Sequence, residues 1–498
     1  MGAPQKTARN DMAQTASTKR LRTALDDLPF GDPKSPDYYS KVTKKLPEGV
    51  TSKQLYSDVI NIAWPSFIEL MLTQLASMVD MMMVGSLGAW ALAAVGLTTQ
   101  PKFLLMTLFM AMNTGATALI ARCKGAGQQE KANLVLRQAL LMTFVLATNS
   151  SILGFIFTEP LIIFTGTADP ETLGPAVTYL RIQMVGFITM ALTSTVTAAL
   201  RGVGDSRTAM VYNIVANVVN VIGNWLLIYG NLGFPEMGVA GASLATVIGQ
   251  FVAFIMAFWS IMKKGGYLQL RLRDGFRPNR AILHDVVNIG LPAMIEQFLM
   301  RAGMIIYAKT VAGLGTIPFA THQVCMNIQA LSFMTGQAFA VSATSLMGQS
   351  LGKRRPDMAQ AYCTRTRRIG MIVAIMIGIA FALFNEELVM LYNKDPEIVR
   401  LGGTILLMIA VMQPLQSSQF IIAGGLRGAG DTRATAVITF ITVLLIRPGV
   451  AILMINVFHW GLEGAWVAMV LDQLVRSTLV LARYHSGKWK TIKLKNDK

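Results

Sequence analysis

Four acidic residues of this 498-residue chain fall inside long apolar stretches and away from the first turn of the span: Glu69, Asp80, Glu296 and Asp472. An ionisable group in hydrocarbon costs a few kcal/mol unless it faces protein or water, so these four mark where chemistry can occur. Glu69 and Asp80 are eleven residues apart, three helical turns, and share one helix face. Asp80 lies within Met78-Val-Asp-Met-Met-Met-Val-Gly85, a soft apolar setting in which a carboxyl group can trade a proton near physiological pH. The competing reading is a helix-terminal Asp paired with a polar neighbour at the outer interface. Asn213, Asn217, Asn220 and Asn224 follow at spacings of 4, 3 and 4 and form one polar stripe. Such a stripe is either an ion- or water-coordinating face turned toward Asp80 or hydrogen-bonding glue between helices. Glu69 and Glu296 each stand four residues after a proline, Pro65 and Pro292, so they form a related pair that either faces a central cavity or braces the structure. Six bases also fall in apolar stretches: Lys102, Arg181, Arg301, Lys309, Arg447 and Arg476. Arg301 is five positions from Glu296, off the best helical spacing for a pair, so a partner on another helix is equally open. Six bases against four acids means that a cavity between them need not be strongly anionic.

No enzyme signature accompanies these residues. The four histidines, His284, His322, His459 and His485, form no metal-ligand pair, and no Gly-x4-Gly-Lys-[Ser/Thr] phosphate cradle occurs. Cys123, Cys325 and Cys363 have no paired spacing, and two of them fall in segments expected to be cytoplasmic, so neither a disulfide framework nor a metal site is expected. No cofactor is implied. Energy for any transport would come from an ion gradient, or transport would be passive.

The elements that hold these residues are membrane helices. The chain is 53% hydrophobic and 14% charged, with mean hydropathy +0.48. Soluble domains carry roughly a quarter of charged residues. About 20 apolar residues cross a bilayer core, and twelve such spans are legible. They lie near 57–84, 91–120, 134–158, 176–200, 209–230, 239–262, 284–312, 318–347, 368–385, 398–424, 434–457 and 462–482. The net charge of +17 is not a nucleic-acid signature, because the basic residues sit on alternate loops. Ten Lys/Arg precede residue 57, and six each occupy 263–280, 353–368 and 483–498. This positive-inside pattern places both termini in the cytoplasm. The first 50 residues lack an apolar core and read as a polar tail rather than a signal peptide.

The chain repeats itself. Leu200-Arg-Gly-Val-Gly-Asp-Ser-Arg207 recurs 226 residues later as Leu426-Arg-Gly-Ala-Gly-Asp-Thr-Arg433. Pro65 to Glu69 answers Pro292 to Glu296, Asp169-Pro-Glu171 answers Asp395-Pro-Glu397, and Gly238 to Gln250 answers Gly461 to Gln473, with offsets between 223 and 227. Six spans per half give both halves the same orientation, with the repeat axis along the membrane normal. In each Arg-Gly-x-Gly-Asp segment the glycines are expected to end one helix, the Asp with Ser or Thr to cap the next, and the arginines to anchor helix ends at the headgroups. Each Asp-Pro-Glu reads as a cap with proline at the first helical position. Gly125 and Gly352 read as turn glycines.

Taken in order and in duplicate, these residues resemble the multidrug and toxic compound extrusion (MATE) family. The resemblance runs from about residue 55 to 485 and rests on Val79-Asp-Met-Met-Met-Val-Gly85 with Leu87-Gly88 and Ala93-Ala94, on the doubled Leu-Arg-Gly-x-Gly-Asp-[Ser/Thr]-Arg, and on Asn220 to Asn224 before the Gly238 block. It implies two six-helix lobes forming a V with a central cavity, alternating access, and export of organic compounds in exchange for sodium ions or protons. In the branch that couples through the N-terminal lobe, Asp80 matches the first-helix Asp, Asn220 the fifth-helix Asn and Thr246 the sixth-helix Thr. Asn224 stands where that branch has an Asp. The missing charge disfavours tight sodium binding, leaves Asp80 as the titrating group and favours protons. The branch that couples through the C-terminal lobe would use positions that fall here on Gln416 and near Leu299 to Arg301, without acids, and Glu296 is out of register.

The resulting expectation is an all-α polytopic protein with a polar tail at 1–54, an N-lobe at 55–262, a cytoplasmic linker at 263–282, a C-lobe at 283–485 and a basic tail at 486–498. It would be a monomeric, ion-coupled antiporter of the cell membrane exporting amphipathic organic molecules, with no nucleic-acid partner. Asp80, Asn220, Asn224 and Thr246 would couple the ion, and Glu69, Glu296, Arg301 and Gln416 would line the substrate cavity. The alternatives are a flippase for lipid-linked intermediates, if the six bases bind phosphates, and a non-transporting receptor or scaffold. A channel is disfavoured because no filter-like segment interrupts a span.

Overall fold

A computed structural model describes residues 23–32, 34, 46, 47, 49–165, 170–263 and 265–492. Twelve helices in it are long and apolar enough to cross a membrane, as the hydropathy predicts. In chain order the helices are α1 (Ser52–Gly85), α2 (Ala89–Gly125), α3 (Gln129–Ile156), α4 (Thr158–Thr165), α5 (Pro170–Gly202), α6 (Ser206–Leu227), α7 (Gly238–Met262), α8 (Arg280–Ala312), α9 (Thr316–Gly352), α10 (Pro356–Leu383), α11 (Asn385–Met390), α12 (Pro396–Gly428), α13 (Thr432–Thr439), α14 (Arg447–Asn456) and α15 (Gly461–His485). Most extend several residues past the apolar stretches, because hydropathy marks only the part facing hydrocarbon and the helical hydrogen bonds continue beyond it. Two short helices, α4 and α11, went unread in the sequence. They start 227 residues apart, at Thr158 and Asn385, so they belong to the repeat.

The eleventh span is not one α-helix. Phe440–Ile446 between α13 and α14 winds as a π-helix and ends just before Pro448. Proline has no N–H and its ring crowds the preceding turn, so the wider winding accommodates it. The wide turn faces Gly303 of α8, where an added Cβ would come within 2.4 Å of Val443 Cγ1 and 2.7 Å of its carbonyl oxygen.

The turns obey the repeat in detail. Gly204 and Gly430 take φ of +87° and +83°, and the chain closes with Asp205 N donating to Leu200 O and Asp431 N to Leu426 O, both at 2.8 Å. These are left-handed helix ends of the kind glycine permits. Asp205 caps α6 through Thr208 N, whereas Asp431 makes no cap bond and accepts instead from Arg483 Nε at 2.7 Å. Gly125 and Gly352 are not the turn residues: each is the last residue of its helix, and the left-handed positions two residues on are Gly127 (φ +69°) and Arg354 (φ +57°). Asp395 caps α12 through Glu397 N with Pro396 at the first position. Its counterpart Asp169 lies outside the described residues.

The chain divides into two compact units, one of Ile68–Val287 and the other of Ala24–Phe67 with Asn288–Asp497, as far as those ranges are described. The cut does not fall between the sixth and seventh spans. It falls within α1 two residues after Pro65 and within α8 five residues before Pro292. In the first unit, Phe109, Ala147, Met184 and Phe187 centre one apolar core, and Val84, Ala91, Val95 and Ile228 another. The residues after α7 are stapled to α3, with Gln269 N donating to Asn133 Oδ1 and Asn279 N to Gln138 Oε1, both at 2.8 Å. In the second unit, Leu25, Val50, Leu55, Val59 and Ile62 pack on Leu346, Met358 and Tyr362. Lys353 Nζ donates to the carbonyls of Leu25 (2.6 Å) and Asp26 (2.9 Å), and Asp58 accepts from Ala24 N (2.8 Å) and Tyr362 Oη (2.7 Å). The described part of the N-terminal tail is therefore docked. Leu25 supplies an apolar anchor inside a stretch whose average composition reads as solvated. Residues 1–22 lie outside the described set. Cys123 and Cys363 sit on α2 and α10 beyond the expected apolar stretches, and all three cysteines are buried and form no disulfide.

Candidate functional site

Helices α1 and α6 are joined by a polar ladder of constant register. Asn213 Nδ2 donates to Glu69 Oε1 at 2.7 Å, Asn217 Nδ2 to Thr73 Oγ1 at 3.0 Å and Asn224 Nδ2 to Asp80 Oδ1 at 2.5 Å. Each pair is separated by 144 residues. A constant difference in residue number means that the two helices run parallel, in step, for three turns. The asparagine stripe thus does both things its spacing allows: it joins two helices and it faces Asp80.

At the top of the ladder Asp80 meets only neutral hydrogen-bond partners. Asn220 bridges it to Thr246 of α7. With its nitrogen toward the carboxylate, Asn220 donates to both Asp80 oxygens, at 2.7 and 3.0 Å, while its oxygen accepts from Thr246 Oγ1 (3.0 Å) and N (3.2 Å). With the amide reversed, Nδ2 donates to Thr246 Oγ1 at 3.0 Å and the oxygen faces Asp80. The first orientation satisfies an ionised Asp80. The second requires a proton on it, because two acceptors cannot hydrogen-bond without one. Thr246 has one hydroxyl proton: in the second form it goes to Ala242 O at 3.0 Å, and in the first it goes to Asn220. The four residues assigned to ion coupling from sequence are therefore brought together.

The other three acids are neutralised by arginines. Arg201 Nη2 donates to Glu69 Oε1 at 2.8 Å, and Arg427 Nη2 to Glu296 Oε1 at 2.7 Å, with Thr435 Oγ1 on Oε2 at 2.9 Å. These arginines belong to the doubled Leu-Arg-Gly motif. They were expected at the headgroups, but each reaches inward to the buried glutamate of the first helix of its half, since a buried carboxylate without a counter-charge is the more costly arrangement. Asp472 is held by Arg447 Nε at 3.0 Å and by Arg476 Nη2. Among the described residues, Asp80 alone of the four has no ion pair.

A second polar group joins α2, α5 and α7. Lys102 of α2 donates from Nζ to Gln183 Oε1 of α5 at 2.8 Å. The Gln183 amide is oriented by its other end, since Nε2 donates to Ser243 Oγ (3.1 Å) and O (3.3 Å) of α7, and Ser243 Oγ donates to Tyr179 O at 2.8 Å. A lysine inside an apolar run was the available signal, but without a partner in sequence it carried no role.

Of the residues assigned to a substrate cavity, Arg301 is partly buried on α8. Gln416 of α12 accepts from Gln329 Nε2 at 3.5 Å and lines a small cavity within the second unit with Ser332, Thr335, Gln413 and Phe420. Arg447 and Arg476, two of the six membrane bases, are committed to Asp472.

The geometry meets clear likenesses among known proteins. The model of the MatE family matches residues 65–226 and 292–453, one stretch per half. A probable multidrug resistance protein NorM of Thermotoga maritima is 29% identical over 440 residues, covering 88% of this chain and 93% of that protein. The multidrug resistance protein PmpM of Pseudomonas aeruginosa is 30% identical over 403 residues, 79% of this chain and 83% of that one. A solved outward-facing multidrug resistance MATE family transporter superposes with a TM-score of 0.81 at 23% identity, over 89% of this chain and 100% of that one, which establishes the fold.

Proposed function

This chain belongs to the MatE family, transporters rather than enzymes, and from that premise we propose that it is a secondary active antiporter that exports amphipathic organic compounds in exchange for protons. It is a multi-pass membrane protein. We place it in the cell membrane with both termini in the cytoplasm, on the positive-inside distribution of its loops. The relatives named for multidrug resistance support the cargo class.

One observation carries the coupling assignment. Glu69, Glu296 and Asp472 each have an arginine counter-ion, whereas Asp80 is held by the amides of Asn220 and Asn224. An ion-paired carboxylate keeps its charge through a transport cycle. A carboxylate held by neutral donors in a low-dielectric setting can exchange charge for a proton at modest cost. Asn224 offers a donor to Asp80 where a second acid would offer an oxygen, which supports protons over sodium.

In this reading, protonation of Asp80 removes its demand for donors and reverses the Asn220 amide. It also loosens the upper rung between α1 and α6, so the first helix repacks and substrate is displaced. Alternating access then follows from repacking of α1 against its own lobe. Asp80→Asn should abolish pH-driven export of a cationic dye from proteoliposomes while leaving expression and monodispersity unchanged. Normal pH-driven export by that variant would remove Asp80 from the mechanism.

A further inference from the structure

Lys102 stands apart from the other membrane bases that have counter-ions. Its ammonium is directed at a neutral amide oxygen, that of Gln183, and the chain Gln183, Ser243, Tyr179 fixes that oxygen in place. Its position on α2 is aligned with Asp80. Ala91, Val95 and Lys102 recur at helical spacing on one face of α2, and Ala91 and Val95 pack against Val84 of α1 with Tyr179 alongside. Asp80 is one turn before Val84 on the same face of α1. Tyr179 and Gln183, one turn apart on α5, stand beside this pair. The charges of Lys102 and Asp80 act on each other, and Asp80 also acts on the phenol of Tyr179. Facing Asp80 are thus Lys102 from α2, Tyr179 from α5, and the uncharged Asn220 and Asn224 from α6.

We propose that Lys102 is the built-in counter-charge of Asp80, which lets the carboxyl group give up its proton inside the membrane and leaves the site without the net negative charge that would draw in a sodium ion. An ammonium within electrostatic reach, but not in contact, stabilises the ionised form without locking it as an arginine pair would. A sodium ion depends on net negative charge and several oxygen ligands, and here the charge of the carboxylate is already balanced. A proton forms a covalent bond to the carboxyl oxygen and needs neither. Gln183 is the positioning residue that keeps the ammonium short of contact.

This inference rests on Asp80 being the coupling group, and its test reports on Asp80 directly rather than on transport. The protonated-carboxyl infrared band of Asp80, assigned by its loss in Asp80→Asn, is titrated in the purified full-length protein in lipid. Lys102→Gln should move the midpoint toward alkaline pH by at least about a tenfold change in proton activity. Lys102→Arg should stay near wild type, since it keeps a cation; Gln183→Leu should move the midpoint toward acid pH, since the released ammonium can close on the carboxylate; and exchanging potassium for sodium salts should leave the wild-type midpoint in place. Coincident midpoints for Lys102→Gln and wild type would overturn the proposal. So would a shift in Gln183→Leu equal to that in Lys102→Gln, which would make Lys102 merely a packing tether, or a sodium-dependent shift in wild type. If Lys102→Gln does not fold, as judged by size exclusion, Lys102→Met carries the same comparison. A wild-type protein that shows no pH-driven export, yet shifts its Asp80 band in Lys102→Gln, would sink the antiporter reading and leave this one standing.

Discussion

Asn224 Nδ2 donates to Asp80 Oδ1 at 2.5 Å across 144 residues of chain, and the same separation recurs at Thr73 with Asn217 and at Glu69 with Asn213. The register of α1 on α6 is therefore set by three polar rungs of different chemistry. The lowest carries a fixed ion pair, the middle one is neutral, and the highest holds Asp80, which alone of the four acids has no arginine. Replacing each rung should have a different consequence.

Asn224→Leu removes the donor closest to Asp80 and leaves the carboxylate with Asn220 alone. Hydrogen bonds to charged groups contribute about 1.5–3 kcal/mol, so pH-driven export should fall by roughly an order of magnitude or more while folding is retained. Export rates in proteoliposomes against an imposed pH step measure this. Unchanged rates would show that Asn224 is not part of the coupling machinery.

Thr73→Val removes only the middle rung, which is exposed and uncharged. Stability should change by less than about 1 kcal/mol and export should remain near wild type. The comparison with Asn224→Leu, run in the same vesicles, separates loss of a helix contact from loss of coupling.

Glu69→Gln leaves Arg201 without its counter-ion, and Glu296→Gln does the same to Arg427. Each single change should cost about 2–4 kcal/mol, at the lower end because the arginines are partly exposed. The double changes Glu69→Gln with Arg201→Gln, and Glu296→Gln with Arg427→Gln, should recover part of the loss. Thermal unfolding in detergent tests this. Singles as stable as wild type would mean that neither pair braces its lobe.

Gly428→Ala places a Cβ 2.2 Å from the Thr344 carbonyl oxygen, well inside van der Waals contact. The backbone of α12 approaches α9 too closely there for any side chain, and Thr344 Oγ1 already donates to Gly424 O at 2.8 Å on the same seam. The substitution should lower the unfolding temperature of the protein by several degrees, as small residues at membrane helix crossings do when enlarged. Gly449→Ala, where an added Cβ meets nothing, should be tolerated.

Leu25→Asp puts a charge into a pocket in which Leu25 is 1% exposed. The segment that Lys353 holds by two carbonyls should detach from the second unit, and limited proteolysis should then cleave near residue 30 faster than in wild type. Equal cleavage rates would mean that the docked segment opens freely in both.

Much of the molecule was legible before folding. The twelve spans followed from the thickness of hydrocarbon that an apolar run must cross, and the repeat followed from residues whose backbone roles recur, such as Gly204 and Gly430. The asparagine stripe was legible because 3.6-residue periodicity places positions 213, 217, 220 and 224 on one face whatever that face meets. The partners were not legible. Nothing local distinguishes Glu69 from Asp80: both are acids on one face of one helix. Only the packing of α5 and α6 beside α1 gives the first an arginine and the second two amides. The docking of Leu25 likewise depends on Lys353, hundreds of residues away in the chain. Composition and periodicity determined that this protein is a doubled membrane bundle with a few costly charges inside it. The tertiary structure decided which of those charges has an arginine beside it and which has only amides, because a carboxylate's surroundings are the groups within a few ångströms of it, and those groups come from other helices.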